Sequence, residues 1–403
     1  MDHAPIDIAR ENRFLGPRAA LLQRRGIVVA VVGFAAAAAL AAVGHGAGRD
    51  FFFAYLLNYA FALSLALGAL FFVVLQHLTR AGWSVVVRRL AEGVAATLPV
   101  LAVLFLPLLA GLHDLYHWSH AEAVAADPLL AHKAPYLNVP FFVVRWAVYL
   151  VSWSLLARFF LARSTAQDAT GDVAETHAMQ RRAAPAMLLF AVTVTFAAFD
   201  LLMSLDAHWF STIFGVYFFA GSLVGFVALL VVIAFAVQRG GFLTHAITRE
   251  HYHDLGKLLF AFVVFWAYIA FSQYMLIWYA NLPEETGWFL RRQNGGWGWV
   301  GVTLIFGHFL LPFLALLSRP PKRRKRLLVP VAVWVLAMHW VDLLFVVGPE
   351  RSPDRFLLLA TDVLVLVGFA GAMTAAFAHT FARRSLVAEG DPRLNESLTF
   401  ENA

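Results

Sequence analysis

Cysteine is absent from all 403 residues, and charge is scarce, with Asp, Glu, Lys and Arg together making up 14% of the chain. The missing thiols exclude Cys-ligated iron–sulfur clusters, haem attachment through Cys-x-x-Cys-His, disulfides and thiol redox chemistry. Any electron carrier must use other ligands or belong to a partner. The scarcity of charge excludes an ordinary soluble domain, in which roughly 25% of residues are charged. With 61% of residues hydrophobic, a soluble chain would expose large apolar patches and aggregate. The formal charge of +6 invites a nucleic-acid reading. The basic residues, however, lie in short segments between apolar runs and do not gather into a patch on a soluble fold. Membrane lipid is the expected surrounding, and nucleic acid is not an expected partner.

A bilayer core of about 30 Å is crossed by about 20 apolar residues in a helix rising about 1.5 Å per residue. Ten stretches qualify: 26–44, 52–77, 85–110, 139–162, 183–204, 209–238, 256–281, 298–318, 327–347 and 357–380. The organisation that follows is a cytoplasmic segment 1–25, a ten-helix transmembrane domain 26–380 and a cytoplasmic tail 381–403. Lys and Arg collect in cytoplasmic loops, which tests this map independently of hydropathy. With both termini inside, 24 of the 31 basic residues fall in inside segments. Outside remain Arg49, Lys133, Arg145, Arg291, Arg292, Arg351 and Arg355. A wrong helix count would scramble that alternation. Arg24-Arg25, an apolar run and the small residues 41–47 imitate a cleavable signal peptide. The polar segment of 25 residues ahead of them is long for one, and retention of the first span is expected.

An ionisable group inside a bilayer costs about 2.5–3.5 kcal/mol on insertion scales, so those present face a protein interior, a partner or water. They are Glu92, Asp200, His308, His339, Asp342 and Asp362, joined by neutral Gln76, Ser152, Ser204, Gln273, Tyr274, Thr303 and Thr361. His339 and Asp342 are three residues apart and share a helix face, where a carboxylate can orient an imidazole for proton transfer. A structural contact between helices explains them equally well. His308 alone reads as a packed histidine, and with His339 it forms the one pair able to hold a b-type haem. In the outer loop, His113 and His117 have the spacing of two metal ligands on a helix, although an interfacial strip of His and aromatics is the plainer reading. The run Pro-Pro-Lys-Arg-Arg-Lys-Arg at 320–326 has the charge to recruit anionic lipid, although fixing topology is a sufficient and plainer reading.

Three blocks carry a family resemblance. The first is Lys133-Ala-Pro-Tyr-Leu-Asn-Val-Pro-Phe-Phe-Val-Val-Arg145. The second is Phe199-Asp-Leu-Leu-Met-Ser-Leu-Asp-Ala-His-Trp-Phe-Ser-Thr-Ile-Phe-Gly-Val-Tyr-Phe-Phe-Ala-Gly221. The third spans 256–286 and contains Ala270-Phe-Ser-Gln-Tyr-Met-Leu-Ile-Trp-Tyr-Ala-Asn-Leu-Pro283. Together with the ten-span layout they resemble the F subunit of the bacterial alternative complex III, a quinol:cytochrome c type oxidoreductase whose polytopic subunits are similar to polysulfide-reductase-type membrane anchors. The resemblance implies an all-α fold of two four-helix bundles, spans two to five and six to nine, with spans one and ten flanking them. It implies a bacterial inner-membrane location and partners: a multihaem cytochrome c subunit, an iron–sulfur subunit, a sister polytopic subunit and smaller subunits. Haems and iron–sulfur clusters then sit in those partners, with quinone or quinol at or near this chain. The family is described as quinone-binding, while the sister subunit is the better candidate for the quinol site. This chain is then structural, with a proton route. Candidate residues are Asp200, Asp206, His208 and Tyr217 in the second block, Gln273 and Tyr274 in the third, and the buried Glu92, His308, His339, Asp342 and Asp362. Two alternatives stand beside this: a secondary transporter, for which Pro312 and glycines 215, 221 and 225 are the available helix breakers, and a purely structural scaffold.

Overall fold

Among residues 7–43 and 47–402, which the computed structural model describes, ten helices are long and apolar enough to cross a membrane. They are α1 (Pro17–Val43), α2 (Gly48–Leu78), α3 (Val85–Ala110), α4 (Val139–Thr170), α5 (Val173–Leu205), α6 (Phe214–Arg239), α7 (Arg249–Ala280), α8 (Trp297–Leu317), α9 (Lys325–Arg351) and α10 (Ala360–Thr380). No strand forms among the described residues. The protein is an all-α polytopic membrane protein, and each of the ten expected spans is a helix. Gly44, His45 and Gly46 of the signal-like stretch lie outside the described residues.

Several edges differ from the hydropathy map, and backbone chemistry explains why. α1 starts at Pro17, nine residues ahead of the apolar run, because proline at the first turn gives up only an N–H that has no intrahelical partner. α4 and α5 reach 32 and 33 residues, about 50 Å at 1.5 Å per residue, well beyond a 30 Å core. They run on as a polar antiparallel hairpin until Gly171, at φ +63°, turns the chain and the Asp172 side chain caps the Ala174 N–H. α6 begins at Phe214, five residues after the expected 209, since residues 206–213 form a turn between α5 and α6.

The helices α2–α5 close one ring of neighbours and α6–α9 a second. α2 is the axis, packing on α6 and α9 of the other bundle and on α1 and α10 outside. Its apolar residues run round the whole helix, as burial on every side requires, interrupted by the buried Asn58, Ser64, Gln76 and His77. α1 and α10 meet through small residues: a Cβ on Gly26 would lie 2.7 Å from the Ala375 nitrogen, and one on Gly33 2.6 Å from the Gly368 nitrogen. Such residues let two helices in lipid approach backbone to backbone.

Two helices are irregular. α3 is segmented near Pro99 and Pro107. In α8 the stretch Leu304–Leu310 is π-helical. Pro312 supplies no N–H to the carbonyl of His308 four residues back, so the ladder must rearrange there. Both terminal segments are knitted into the face that carries them. The Glu11 carboxylate accepts the His245 and Ala246 N–H groups at 2.7 and 3.1 Å, and Leu386, Val387 and Ala388 of the tail are buried.

Candidate functional site

The ionisable residues expected inside the membrane separate into two groups. Those in the first are neutralised by arginine. Asp200 of α5 is gripped by Arg145 of α4 through Nε and Nη2, each at 2.9 Å, and accepts the Tyr149 hydroxyl at 3.1 Å. The guanidinium also packs on the mutually perpendicular rings of Tyr136 and Phe141, at 3.9 and 4.4 Å. Asp362 opens α10 by accepting the Leu359 N–H at 2.8 Å, and takes both ends of Arg351 at 2.8 and 3.0 Å. Glu92 lies between Arg88 and Arg89 at 3.3 and 2.9 Å, and these reach on to Asp391 at 2.6 Å and Asp168 at 2.7 Å. Charges so paired hold helices together and are poor proton carriers, because a proton gained would leave a buried cation alone.

On the face opposite the termini, Asp206 pairs with Arg291 and His208 Nε2 lies 2.5 Å from Asp127. The His208 hydrogen bond holds Asp127 below the usual carboxylate range. Burial pulls the Lys133 ammonium down, opposed by Asp206 and Asp127, and the ammonium donates to the Ala207 carbonyl at 2.6 Å. His113 and His120 are committed within their own loop, His113 Nδ1 to Ser119 Oγ at 3.0 Å and His120 Nε2 to the His113 carbonyl at 2.8 Å. These contacts stay within the interfacial strip of His and aromatics.

The second group is one cluster inside the α6–α9 bundle. Asp342 of α9 is 2% exposed and has no cationic partner among the described residues. The Tyr217 hydroxyl of α6 donates to one of its oxygens and the Trp266 indole N–H of α7 to the other at 3.0 Å. One turn away, His339 Nε2 meets Ser64 Oγ of α2 at 2.8 Å, while the Ser64 hydroxyl gives its proton to the Phe61 carbonyl at 2.7 Å. Ser64 therefore accepts, His339 carries its proton on Nε2, and its Nδ1 lone pair has no partner among the described residues. His308, in the π-helical turn of α8, is 0% exposed, stacks on Trp266 at 4.0 Å and lies 6.5 Å from the His339 ring. Neither of its nitrogens has a partner among the described residues.

Two of the glycines considered as transporter-type breakers have a different use, since Gly221 and Gly225 of α6 cradle His339. A Cβ on Gly225 would come within 2.5 Å of that ring. Ser64 thus holds His339 at Nε2 while α6 lies against the flank of the ring.

A cleft of about 790 Å³ lies between α7 and α8, lined by Tyr217, Trp266, Gln273, Tyr274, Trp288 and Phe345 among others. Its mouth opens on the outside of the helix bundle, where Tyr268, Phe271 and Ile305 are 66%, 62% and 60% exposed. Gln273 accepts the Ser211 hydroxyl at 3.0 Å, and Tyr274 receives a long contact from Gln293 at 3.5 Å. At its upper wall Arg292 is buried over the Trp288 ring at 3.3 Å and donates to the carbonyls of Trp288, Phe345 and Val346 and to Glu350. Tyr217 and Trp266 belong both to this wall and to the Asp342 cluster, so the acid is one side chain from the cleft.

The structure thus joins Tyr217, His308, His339 and Asp342, places Gln273 and Tyr274 beside them, and leaves Glu92, Asp200, Asp206, His208 and Asp362 in separate contacts. Sequence reasoning missed Trp266 and Ser64, the latter a small hydroxyl within the long apolar stretch 60–75 of α2. Of the seven basic residues that the sequence map leaves outside, all but Arg355 are held by a carboxylate or a carbonyl.

Fold and cluster together define a polytopic membrane protein with a buried protonatable centre beside a cleft open on the outside of the bundle. In comparisons with known proteins, no family model matches the chain and no curated protein matches it.

Proposed function

We propose that this chain is a membrane subunit of a respiratory quinol:cytochrome c type oxidoreductase, as the resemblance to the alternative complex III F subunit implies. It lies in the bacterial inner membrane with both termini cytoplasmic. Electrons travel through partners: a multihaem cytochrome c subunit, an iron–sulfur subunit and a sister polytopic subunit. This chain supplies the scaffold and a proton-handling centre next to quinone. The observation that carries the proposal is Asp342, a buried acid with no cation, held by Tyr217 and Trp266 in the wall of an aromatic cleft open on the outside of the bundle. Quinol oxidation releases protons together with electrons, so such a complex needs groups that take up a proton without a compensating charge. Asp342 and the free Nδ1 of His339 on the same helix face are such groups, with His308 within reach.

A secondary transporter is the second reading, favoured by the π-helical break in α8 beside the cleft. One experiment separates the two. The tagged protein is purified in mild detergent, stained for haem and assayed for quinol oxidation. Co-purifying c-type haem with that activity supports the respiratory assignment; a lone, haem-free protein overturns it and leaves the transporter.

A further inference from the structure

We infer that residues 385–402 form a strap that closes a polar chamber at the termini face and ties the two bundles together, and that it opens as a lid. Its path is a series of specific contacts. The Leu386 N–H donates to the Arg13 carbonyl at 2.8 Å and Glu389 pairs with Arg13 at 2.7 Å. Gly390 then passes so close to α4 that a Cβ would lie 1.9 Å from the Gln167 carbonyl oxygen. Asp391 reaches Arg88 of α3 at 2.6 Å, both side chains nearly fully buried. Ser397 Oγ donates to the Trp83 carbonyl at 2.6 Å and meets His251 Nε2 of α7 at 3.3 Å. Asn402 ends the crossing on Lys257 of α7 at 2.6 Å. The strap thus runs from α3 and α4 in one bundle to α7 in the other.

Beneath it lie Gln76, His77, Ser84, Glu92 and His251, all buried. Gln76 Oε1, His77 Nε2 and Ser84 Oγ have no protein partner among the described residues. Buried polar atoms are nearly always satisfied, so three unsatisfied ones beneath one cover mark a place for a polar partner from outside the protein. Apart from the short helix Leu394–Leu398 the cover is irregular, and it is held by the buried side chains of Leu386, Val387, Leu394 and Leu398 together with ion pairs and side-chain hydrogen bonds whose polar groups water can satisfy once it opens. The inference is independent of the respiratory assignment, because it concerns access to a chamber in any complex.

The absence of native cysteine gives a direct test. Ser84→Cys places one thiol in the chamber, and its labelling by a membrane-impermeant maleimide is timed on full-length protein in vesicles exposing the termini face. Thr170→Cys on the exposed hairpin serves as the reference rate. The expected result is labelling far slower than the reference in the parent, and at least tenfold faster when Asp391→Asn is added or the chain ends at residue 384. Asp391→Asn keeps the shape of the strap, so its result stands even if the shortened chain fails to fold. Arg13→Gln is a second intact variant expected to speed labelling. Equal Ser84→Cys rates in the parent and both intact variants, or a parent rate equal to the reference, overturn the lid.

Discussion

Whether a buried charge has a partner separates structural from functional side chains. Asp200 and Asp342 are both acids in apolar helices, yet one meets a guanidinium at 2.9 Å and the other only a phenol and an indole. Asp200→Ala leaves Arg145 buried and unpaired, and a loss of about 3–5 kcal/mol is expected, visible as a lower unfolding temperature in detergent. Asp342→Asn retains an oxygen for a donor and keeps the side-chain shape, so the unfolding temperature should barely move. Quinol-oxidation turnover of the intact complex should fall by about tenfold or more, about 1.4 kcal/mol in barrier per factor of ten. Unchanged turnover with normal assembly would remove Asp342 from any proton route and leave the scaffold role. At the surface, the His208 hydrogen bond depresses the Asp127 carboxyl. A depressed acid stabilises above its unfolded value, about 3.9, and that contribution disappears as pH falls through the folded value. Limited proteolysis of the loop 120–138 should therefore rise only under strongly acidic conditions, and His208→Ala should bring the onset to higher pH.

For the helices, hydropathy reports where lipid must be, and hydrogen bonding reports where a helix can end. The two agree in α2, whose apolar run nearly fills its length. They part in α4 and α5, where about ten residues at the end of one and the start of the other are too polar to be counted as span yet remain helical up to Gly171. Close packing is equally invisible to hydropathy. Gly33 reads as a weak point in an apolar run, but it is where α1 touches α10 backbone to backbone. Gly33→Val is expected to cost about 1–3 kcal/mol through overpacking. Loosening of α1 should show as faster proteolysis between α1 and α2, and a variant as resistant as the parent would contradict the close approach. The π-helical turn in α8 was legible only as Pro312. That it carries His308 against Trp266 was not, since the partner lies on α7.

Across the whole molecule, topology is a prediction still to be read. With ten spans and both termini on one side, single cysteines at Thr170 and Glu284 should label from opposite faces of the membrane, Thr170→Cys from the cytoplasm. Labelling of both from one side would break the span map. Class, span number and approximate span positions were legible in the sequence, because the bilayer acts on each segment separately and twenty apolar residues in a row satisfy it without reference to the rest of the chain. Tertiary structure alone decided which buried charges are neutralised and which acid stands without a cation, because those outcomes depend on distances between residues remote along the chain. Arg88 and Asp391 are 303 residues apart and meet at 2.6 Å, while Asp342 has no ion-pair partner among the described residues and meets Tyr217 and Trp266.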